Sequence, residues 1–330
     1  MLSLPDPQTT VPIIELHAEI PERLGGRRLD QALAELFPEY SRARLQSWVR
    51  AGQVHVDQQI SRPRDKVAGG ELVHVRAEIE SASPLRAEAI PLDIRYEDAA
   101  LLVINKPAGL VVHPAAGNPD GTLQNALLHH CPALATVPRA GIVHRLDKET
   151  SGLLVVAKTL EAHTDLVRQL QSRSVGREYL ALVNGVLAAG GTVDAPLGRH
   201  PGDRKRIAVI AGGRHAVSHY RVEERFRAHT LVRVRLETGR THQIRVHMGH
   251  IHHPLVGDPV YGGRLRIPKG AGDALATALR GFRRQALHAT RLTLCHPVSG
   301  EILSWEVSPP EDFCAVLGTL RSDAAEANIR

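Results

Sequence analysis

The chain has 330 residues, a formal net charge of +6 with histidine neutral, and a pI near 9.5. A chain this long buries roughly three quarters of its unfolded surface and needs no staple to fold; Cys131, Cys295 and Cys314 lie far apart without a C-x-x-C pair, which argues against a disulfide framework or a thiolate zinc site. No stretch reaches the ~18 apolar residues of a membrane span and the N-terminal residues lack a basic region followed by an apolar core, so a soluble, cytoplasmic protein is expected.

Residues 1–21 read as an extension and residues 22–77 as a small α/β unit. Leu29, Ala32, Leu33 and Leu36 recur at the helical period. Ser41 is placed to cap a second helix that turns Leu45, Trp48 and Val49 inward, and Gly52 ends it. QVHVD (53–57) and ELVHVR (71–76) alternate as strands do. Arg27, Arg28, Arg42, Arg44, Arg50, Arg62, Arg64 and Lys66 fall within forty residues, a charge density that suits a phosphate backbone; a merely solvated face is the plainer alternative. The run SRARLQSWVRAGQVHVDQQ resembles the S4 RNA-binding module, over about one sixth of the chain. That resemblance implies RNA contacts by Arg42, Arg44, Arg50, Arg62 and Arg64. The turn after Val56 lacks the glycine usual in that module.

Residues 78–90 lose apolar periodicity and read as a linker, with a second domain at 91–321 and a polar, frayed tail at 322–330. The apolar runs LLVIN (101–105), LLVVAK (153–158), YLALV (179–183) and LVRVRLE (231–237) alternate with helical stretches such as 161–172, and strands dominate. An α+β domain with a large mixed, mainly antiparallel sheet follows, because the regular strand and helix alternation of a doubly wound fold is missing. Between two apolar runs, HRLDKETSG (144–152) sets Asp147 at a strand-to-loop corner. A buried acid is costly unless it is paired, so it is either neutralised by a basic residue or put to chemical use.

Three segments, GIVHRLDKETSGLLVVAKT (141–159), REYLALVNG (177–185) and LETGRTHQIRVHMGHIHHPLVGDPVYGG (236–263), resemble in content and order the RluA/RluD family of RNA pseudouridine synthases. INKPAGLVVHP (104–114) and RRQALHATRL (283–292) extend the likeness over nearly all of residues 90–310, and an S4-like module ahead of them matches the family's two-domain members. Within the family the likeness is strongest to the RluD branch, which implies uridines in the helix 69 hairpin loop of 23S ribosomal RNA as the target, free or within a large-subunit precursor.

The implied reaction breaks the C1′–N1 bond of a uridine and rejoins the base through C5. It needs no redox cofactor or nucleotide donor, and the sequence has neither a G-x-G-x-x-G nor a Walker A pattern. By resemblance Asp147 is the catalytic carboxylate, attacking C6 or C1′ or stabilising charge on the sugar. Arg245 is its buried partner, and Tyr179 the ring that stacks on the base and whose hydroxyl takes the C5 proton. Arg145 fills the space left by the flipped base or contacts a phosphate, and Arg240 and Lys148 are weaker phosphate candidates. Without the family, Asp147 would read as a turn cap and Tyr179 as strand packing.

His242, His247, His250, His252 and His253 crowd one segment, but no H-E-x-x-H pattern occurs and no metal is expected. GDPVYG (257–262) reads as a structural turn packed by Tyr261. A monomer suffices for this reading. Rival readings are an enzyme acting on transfer RNA or another ribosomal site, an inactive RNA-binding assembly factor, and a histidine-metal hydrolase; the last two are disfavoured by the intact Asp147, Tyr179 and Arg245 and by the ligand spacing.

Overall fold

A computed structural model describes residues 13–78 and 86–329, apart from Glu39, Ser41, Ala116, Arg204 and Lys205. They fall into two compact units divided between Leu85 and Arg86. The expected cap Ser41 lies outside the described residues.

The first unit runs β1 (Ile13–Glu19), α1 (Leu29–Leu36), α2 (Arg42–Arg50), β2 (Val54–Val56), β3 (Gln59–Ile60) and β4 (Leu72–Glu78). Its antiparallel sheet has the order β1-β4-β2-β3. Leu29, Ala32 and Leu33 of α1 and Leu45, Trp48 and Val49 of α2 close a core with Val54, Val73 and Val75, as their periods require. Two expectations change here. Residues 13–19 are part of the sheet and not an extension: Leu16 pairs with Val75 and His17 with His74 along the edge of β4. The two-residue turn between β2 and β3 forms without glycine, because Asp57 and Gln58 both take positive φ, 46° and 65°. That is the hand a tight hairpin demands, and the Asp57 carboxylate accepts the Leu72 N–H at 2.9 Å to hold it.

The second unit contains a nine-stranded sheet. Its strands are β5 (Ile94–Glu97), β6 (Leu101–Lys106), β7 (Ser151–Ala157), β8 (Gly176–Asn184), β9 (Gly191–Asp194), β12 (Val217–Arg225), β13 (His229–Leu236), β14 (Leu287–Cys295) and β15 (Ile302–Glu306), while β10 (Leu197–Arg199) and β11 (Ile207–Val209) form a separate ribbon. The order is β5-β6-β7-β14-β8-β13-β12-β9 with β15 paired to β14, and β7 with β14 is the parallel pair. The sheet is therefore mixed and mainly antiparallel, as the strand-rich sequence implied. Helices α3 (Leu123–His130), α4 (Leu160–Gln171), α5 (Gln243–His250), α6 (Asp273–Gly281) and α7 (Glu311–Ile329) pack around it. Thr122 and Asn125 cap α3 reciprocally, and Thr159 caps α4.

The segment expected as a linker belongs in part to this unit: Glu88 N donates to Asn125 O at 3.1 Å, and Asn125 Nδ2 to Arg86 O at 2.8 Å. The expected frayed tail is also corrected. Residues from Ser322 onward continue α7 to Ile329, and Asp323 is held bidentately by Arg227 at 3.0 and 3.1 Å. An alanine-rich, glutamate-containing stretch has the helix propensity to follow once one turn is anchored.

Candidate active site

Asp147 does not leave a strand. Ile142 makes a single bridge to Val156, residues 143–150 are irregular, and β7 begins at Ser151, so the corner is loop-to-strand. The segment is fastened on both sides of the acid. His144 Nε2 accepts the Val155 N–H at 3.1 Å, which requires a neutral ring, and burial pushes this histidine down to about 3. On the other side Lys148 O accepts from Lys106 Nζ at 3.0 Å and from Gly109 N at 2.9 Å, and Gln285 Nε2 donates to Thr150 Oγ1 at 3.1 Å.

Lys106 is buried on β6, and its three protons meet three carbonyls, those of Pro107, Leu110 and Lys148. Burial lowers it to about 7, while Glu149 and Asp147 favour its charge. Three acceptors match an ammonium and would leave a neutral amine one donor short.

The Asp147 carboxyl faces a cleft of about 600 Å³ that also receives Tyr179, Arg145, Arg240, His242 and Arg245. Helix α5 supplies Arg245, whose Nη1 donates to Asp147 Oδ2 at 3.1 Å. Its other edge is clamped by Asp258, with Nε to Oδ2 at 2.7 Å and Nη2 to Oδ1 at 2.9 Å. The Asp258 side chain has no exposed surface, and its Oδ1 also accepts from Val260 N at 2.8 Å and Tyr261 N at 3.0 Å. Burial works to raise the Asp258 carboxyl, but the bonds and charge of Arg245 hold it below its ordinary value. Burial works against the Arg245 cation, and Asp258 followed by Asp147 outweighs it.

His242 precedes α5 with φ of 56°, and its Nδ1 lies 2.8 Å from Tyr261 Oη. Tyr261 Oη also accepts the Ile207 N–H at 2.9 Å, and the other ring nitrogen of His242, Nε2, lies 3.9 Å from Asp147 Oδ1. Burial lowers the pKa of His242, consistent with the neutral form, while Asp147 pulls the other way.

Tyr179 sits on the central strand β8, opposite Val234 of β13 and Ala289 of β14. Burial raises its phenol above the ordinary value, with Arg177 opposing. Thus Asp147, Tyr179, Arg245, Arg145 and Arg240, distant in sequence, line one cleft. Sequence reasoning did not single out Asp258, Lys106 or Arg177. For Asp258 the signal was present: an acid among apolar neighbours in LVGDPV carries the same burial cost that drew notice to Asp147.

The arginines of the first unit differ among themselves. Arg42 Nη2 lies 2.8 Å from Asp30 Oδ2, a buried carboxylate that Arg28 also holds, so Arg42 has a structural role. Arg50 is exposed and donates to Gln46 Oε1 at 3.2 Å, Arg62 and Arg64 are exposed, and Arg44 is half-buried. Of the histidines in 242–253, His247 lies between Ser218 Oγ at 2.9 Å and Ala195 O at 3.0 Å, His253 Nδ1 meets Asn184 O at 2.9 Å, and His250 and His252 are exposed. Elsewhere, on the edge of the first sheet, His17 stacks on His74 at 4.3 Å, and Glu15 brings a third ligand atom within 4.8 Å of both.

With this geometry in hand, comparison with known proteins is specific. Residues 100–250 match the family model described as RNA pseudouridylate synthase, and residues 27–73 match the S4 domain. The chain is 61% identical over 311 residues to the ribosomal large subunit pseudouridine synthase D of Pseudomonas aeruginosa, covering 94% of this chain and 97% of the relative. It is 56% identical over 314 residues to the protein of that name from Escherichia coli K12, covering 95% and 96%. Among solved structures, human RNA pseudouridylate synthase domain containing 4 superposes with a TM-score of 0.54 at 27% identity, covering 69% of this chain and 92% of its own. The domain containing 1 protein gives 0.52 at 26%, covering 68% and 86%. An S4 domain followed by a mixed sheet that gathers an acid, a tyrosine and an arginine in one basic cleft, together with these matches, means that the chain belongs to the RNA pseudouridine synthase family and is an enzyme of that kind.

Proposed function

We propose that this enzyme converts uridine to pseudouridine in 23S ribosomal RNA, in the hairpin loop of helix 69, with Asp147 as the carboxylate that attacks the nucleotide. The observation that carries the reading is the Asp147–Arg245–Asp258 arrangement. An acid at the edge of a cleft is held by a cation whose own orientation is locked by a second, enclosed acid. Such a preorganised pair keeps the carboxylate aimed without reorganisation when the substrate enters. The relatives' name supports the large-subunit RNA as substrate, and the likeness to the RluD branch supports helix 69.

The target base must leave the RNA stack to reach Asp147. Arg145, exposed at the cleft, is placed to take the vacated position, and the Tyr179 ring offers a face for the extruded uracil. Asp147 adds to C6 or C1′ and C1′–N1 breaks; the base turns, C1′–C5 forms, the bond to Asp147 breaks and frees the carboxylate, the C5 proton departs and N1 gains one. Burial favours a protonated Tyr179 hydroxyl, which suits a stacking platform better than a resting base. The exposed arginines of the S4 domain add affinity through phosphates. We place the enzyme in the cytoplasm as a monomer, acting on ribosomal RNA free or in a large-subunit precursor; among the described residues no helix is long and apolar enough to cross a membrane.

The test is tritium release from a helix 69 transcript carrying 5-tritiated uridine. The wild type is expected to turn over, and Asp147→Asn and Asp147→Ala to bind the RNA with nearly unchanged affinity and release nothing. Turnover by either variant overturns the assignment of Asp147. Pseudouridine mapping of total RNA from cells with and without the gene tests the site: signal lost elsewhere than helix 69 overturns that choice.

A further inference from the structure

Arg177 has no part in the chemistry above, yet its surroundings are those of a binding group. It lies two residues before Tyr179 on β8, on the same side of the strand, and lines the same cleft. It is only 7% exposed, its Nε has no hydrogen-bond partner among the described residues, and its Nη2 reaches Glu237 O at a marginal 3.5 Å. Among the described residues of this unit, Arg245 is matched by Asp258 and Asp147, Arg284 by Asp312, and Arg233 by Glu178 and Glu223, while the half-buried Arg206, whose Nε also lacks a hydrogen-bond partner, lies 5.5 Å from the centre of the Tyr261 ring. Among the described residues, no carboxylate stands within 4.0 Å of Arg177. A buried cation left unmatched is costly, and such a group persists where a ligand completes it.

The adjoining loop makes room for it. A Cβ on Gly239 would lie 2.6 Å from Arg177 Nη1, so the loop backbone passes close to the guanidinium there. Arg214 and Arg240 line the same cleft. Arg240 donates from Nε to His215 O at 3.1 Å, which leaves its terminal nitrogens for other partners, and after burial the nearness of Arg214 and Arg173 disfavours its charge most. Arg173 itself is answered by Glu237 at 2.9 Å.

We propose that Arg177, with Arg214 and Arg240, forms a subsite for one backbone phosphate of the bound RNA, either that of the target nucleotide or one beside it. The inference rests on the RNA-modifying reading above and adds to it where the strand is gripped. A phosphate oxyanion satisfies a guanidinium through two parallel N–H bonds, supplies the countercharge Arg177 lacks and relieves the repulsion between Arg240 and Arg214. A neutral uracil carbonyl would satisfy a donor but leave that repulsion in place. Fixing the phosphate beside a flipped nucleotide orients the sugar before Asp147 can act on it.

The experiment combines Arg177→Gln with RNA in which single linkages around the target uridine are replaced by uncharged methylphosphonates. In the wild type, neutralising one particular linkage is expected to lower kcat/KM by roughly tenfold to a hundredfold. In Arg177→Gln the same replacement should cost nothing further, while other neutral linkages cost both proteins alike. The slope of log affinity against log salt should fall by about 0.7 to 0.9 in the variant. Arg177→Lys, which keeps charge without the planar fork, should recover part of the loss and serves as the second variant if Arg177→Gln melts early. If every linkage adds its full loss to that of Arg177→Gln, or the salt slope is unchanged, the subsite is overturned. Binding of the same oligonucleotides to Asp147→Asn, with and without Arg177→Gln, reads the subsite independently of turnover. A wild type that binds but leaves the uridine unmodified would thus count against the substrate and not against the subsite.

Discussion

Arg245 is held by Asp258 through two bonds, at 2.7 and 2.9 Å, and only its remaining edge reaches Asp147. The acid that does not face the cleft therefore sets the direction of the cation that does. Asp258→Asn removes one of the two acceptors and the charge, leaving Asp147 as the anionic partner of a buried guanidinium. Breaking a buried pair costs about 3–5 kcal/mol of stability. We expect kcat to fall by roughly ten- to a hundredfold, the size of a lost supporting interaction, with KM little changed. Urea unfolding and steady-state tritium release measure the two effects. Wild-type kcat in a destabilised Asp258→Asn would reduce Asp258 to a stability role.

Gly152 closes the segment that carries Asp147 and pairs with Ala289 where β7 meets β14 in parallel. Its φ is +116°, and a Cβ there would stand 2.3 Å from Ala289 O and 2.5 Å from Ala289 N, both backbone atoms of a central strand. Gly152→Ala should destabilise by more than ~3 kcal/mol or displace the segment. Circular dichroism melting and activity of whatever remains folded would check it; a wild-type melting temperature is the contrary result.

One buried and two half-buried histidines predict acid sensitivity. Burial pushes His113 and His288 to about 4 and His144 to about 3, against an ordinary value of 6.5. The unfolded chain thus takes up protons below 6.5 that the native state refuses until about 4 to 3. Unfolding binds protons in that window, so stability is complete above 6.5 and declines as pH falls through it. His288 is the clearest case, because its Nδ1 lies 2.9 Å from Ser151 Oγ while Nε2 lies 3.2 Å from Val307 O, a pairing that one neutral tautomer satisfies. In His288→Gln the fall in unfolding free energy between pH 7.5 and 5.0 should be smaller than in the wild type, even if the variant is less stable at both. An equal fall would remove His288 from the account.

In the S4 domain the arginines should separate by salt dependence. Arg62→Gln and Arg64→Gln remove exposed charges and should each lower the salt slope of RNA binding by about 0.7 to 0.9 without changing stability. Arg42→Gln strips a partner from the enclosed Asp30 carboxylate, whose pKa is lowered by Arg28, Arg42 and Gln46 against the burial that raises it. It should therefore weaken folding more than it changes the salt slope. Filter binding from 50 to 300 mM salt, read beside urea melts, distinguishes them, and a larger salt effect at Arg42 would reverse the assignment.

The sequence by itself determined the elements whose pattern is local. Leu29, Ala32 and Leu33 announce α1 by period, the alternation of QVHVD announces β2, and an acid between apolar runs announces a charge at Asp147 that needs a partner, which Arg245 supplies. Apolar periodicity and the cost of burying charge act over a few residues, so they are written in consecutive letters. What only the tertiary structure decided depends on partners far along the chain. The residues 13–19 become a strand because β4 offers an open edge, and the tail becomes helix to Ile329 with Arg227, ninety-six residues before Asp323, as its anchor. Likewise the enclosure of Asp258, the three carbonyls around Lys106 and the unmatched Arg177 arise only when α5, β8 and the loops before β7 share one cleft. Burial and pairing are properties of that assembled space, and no window of the sequence contains it.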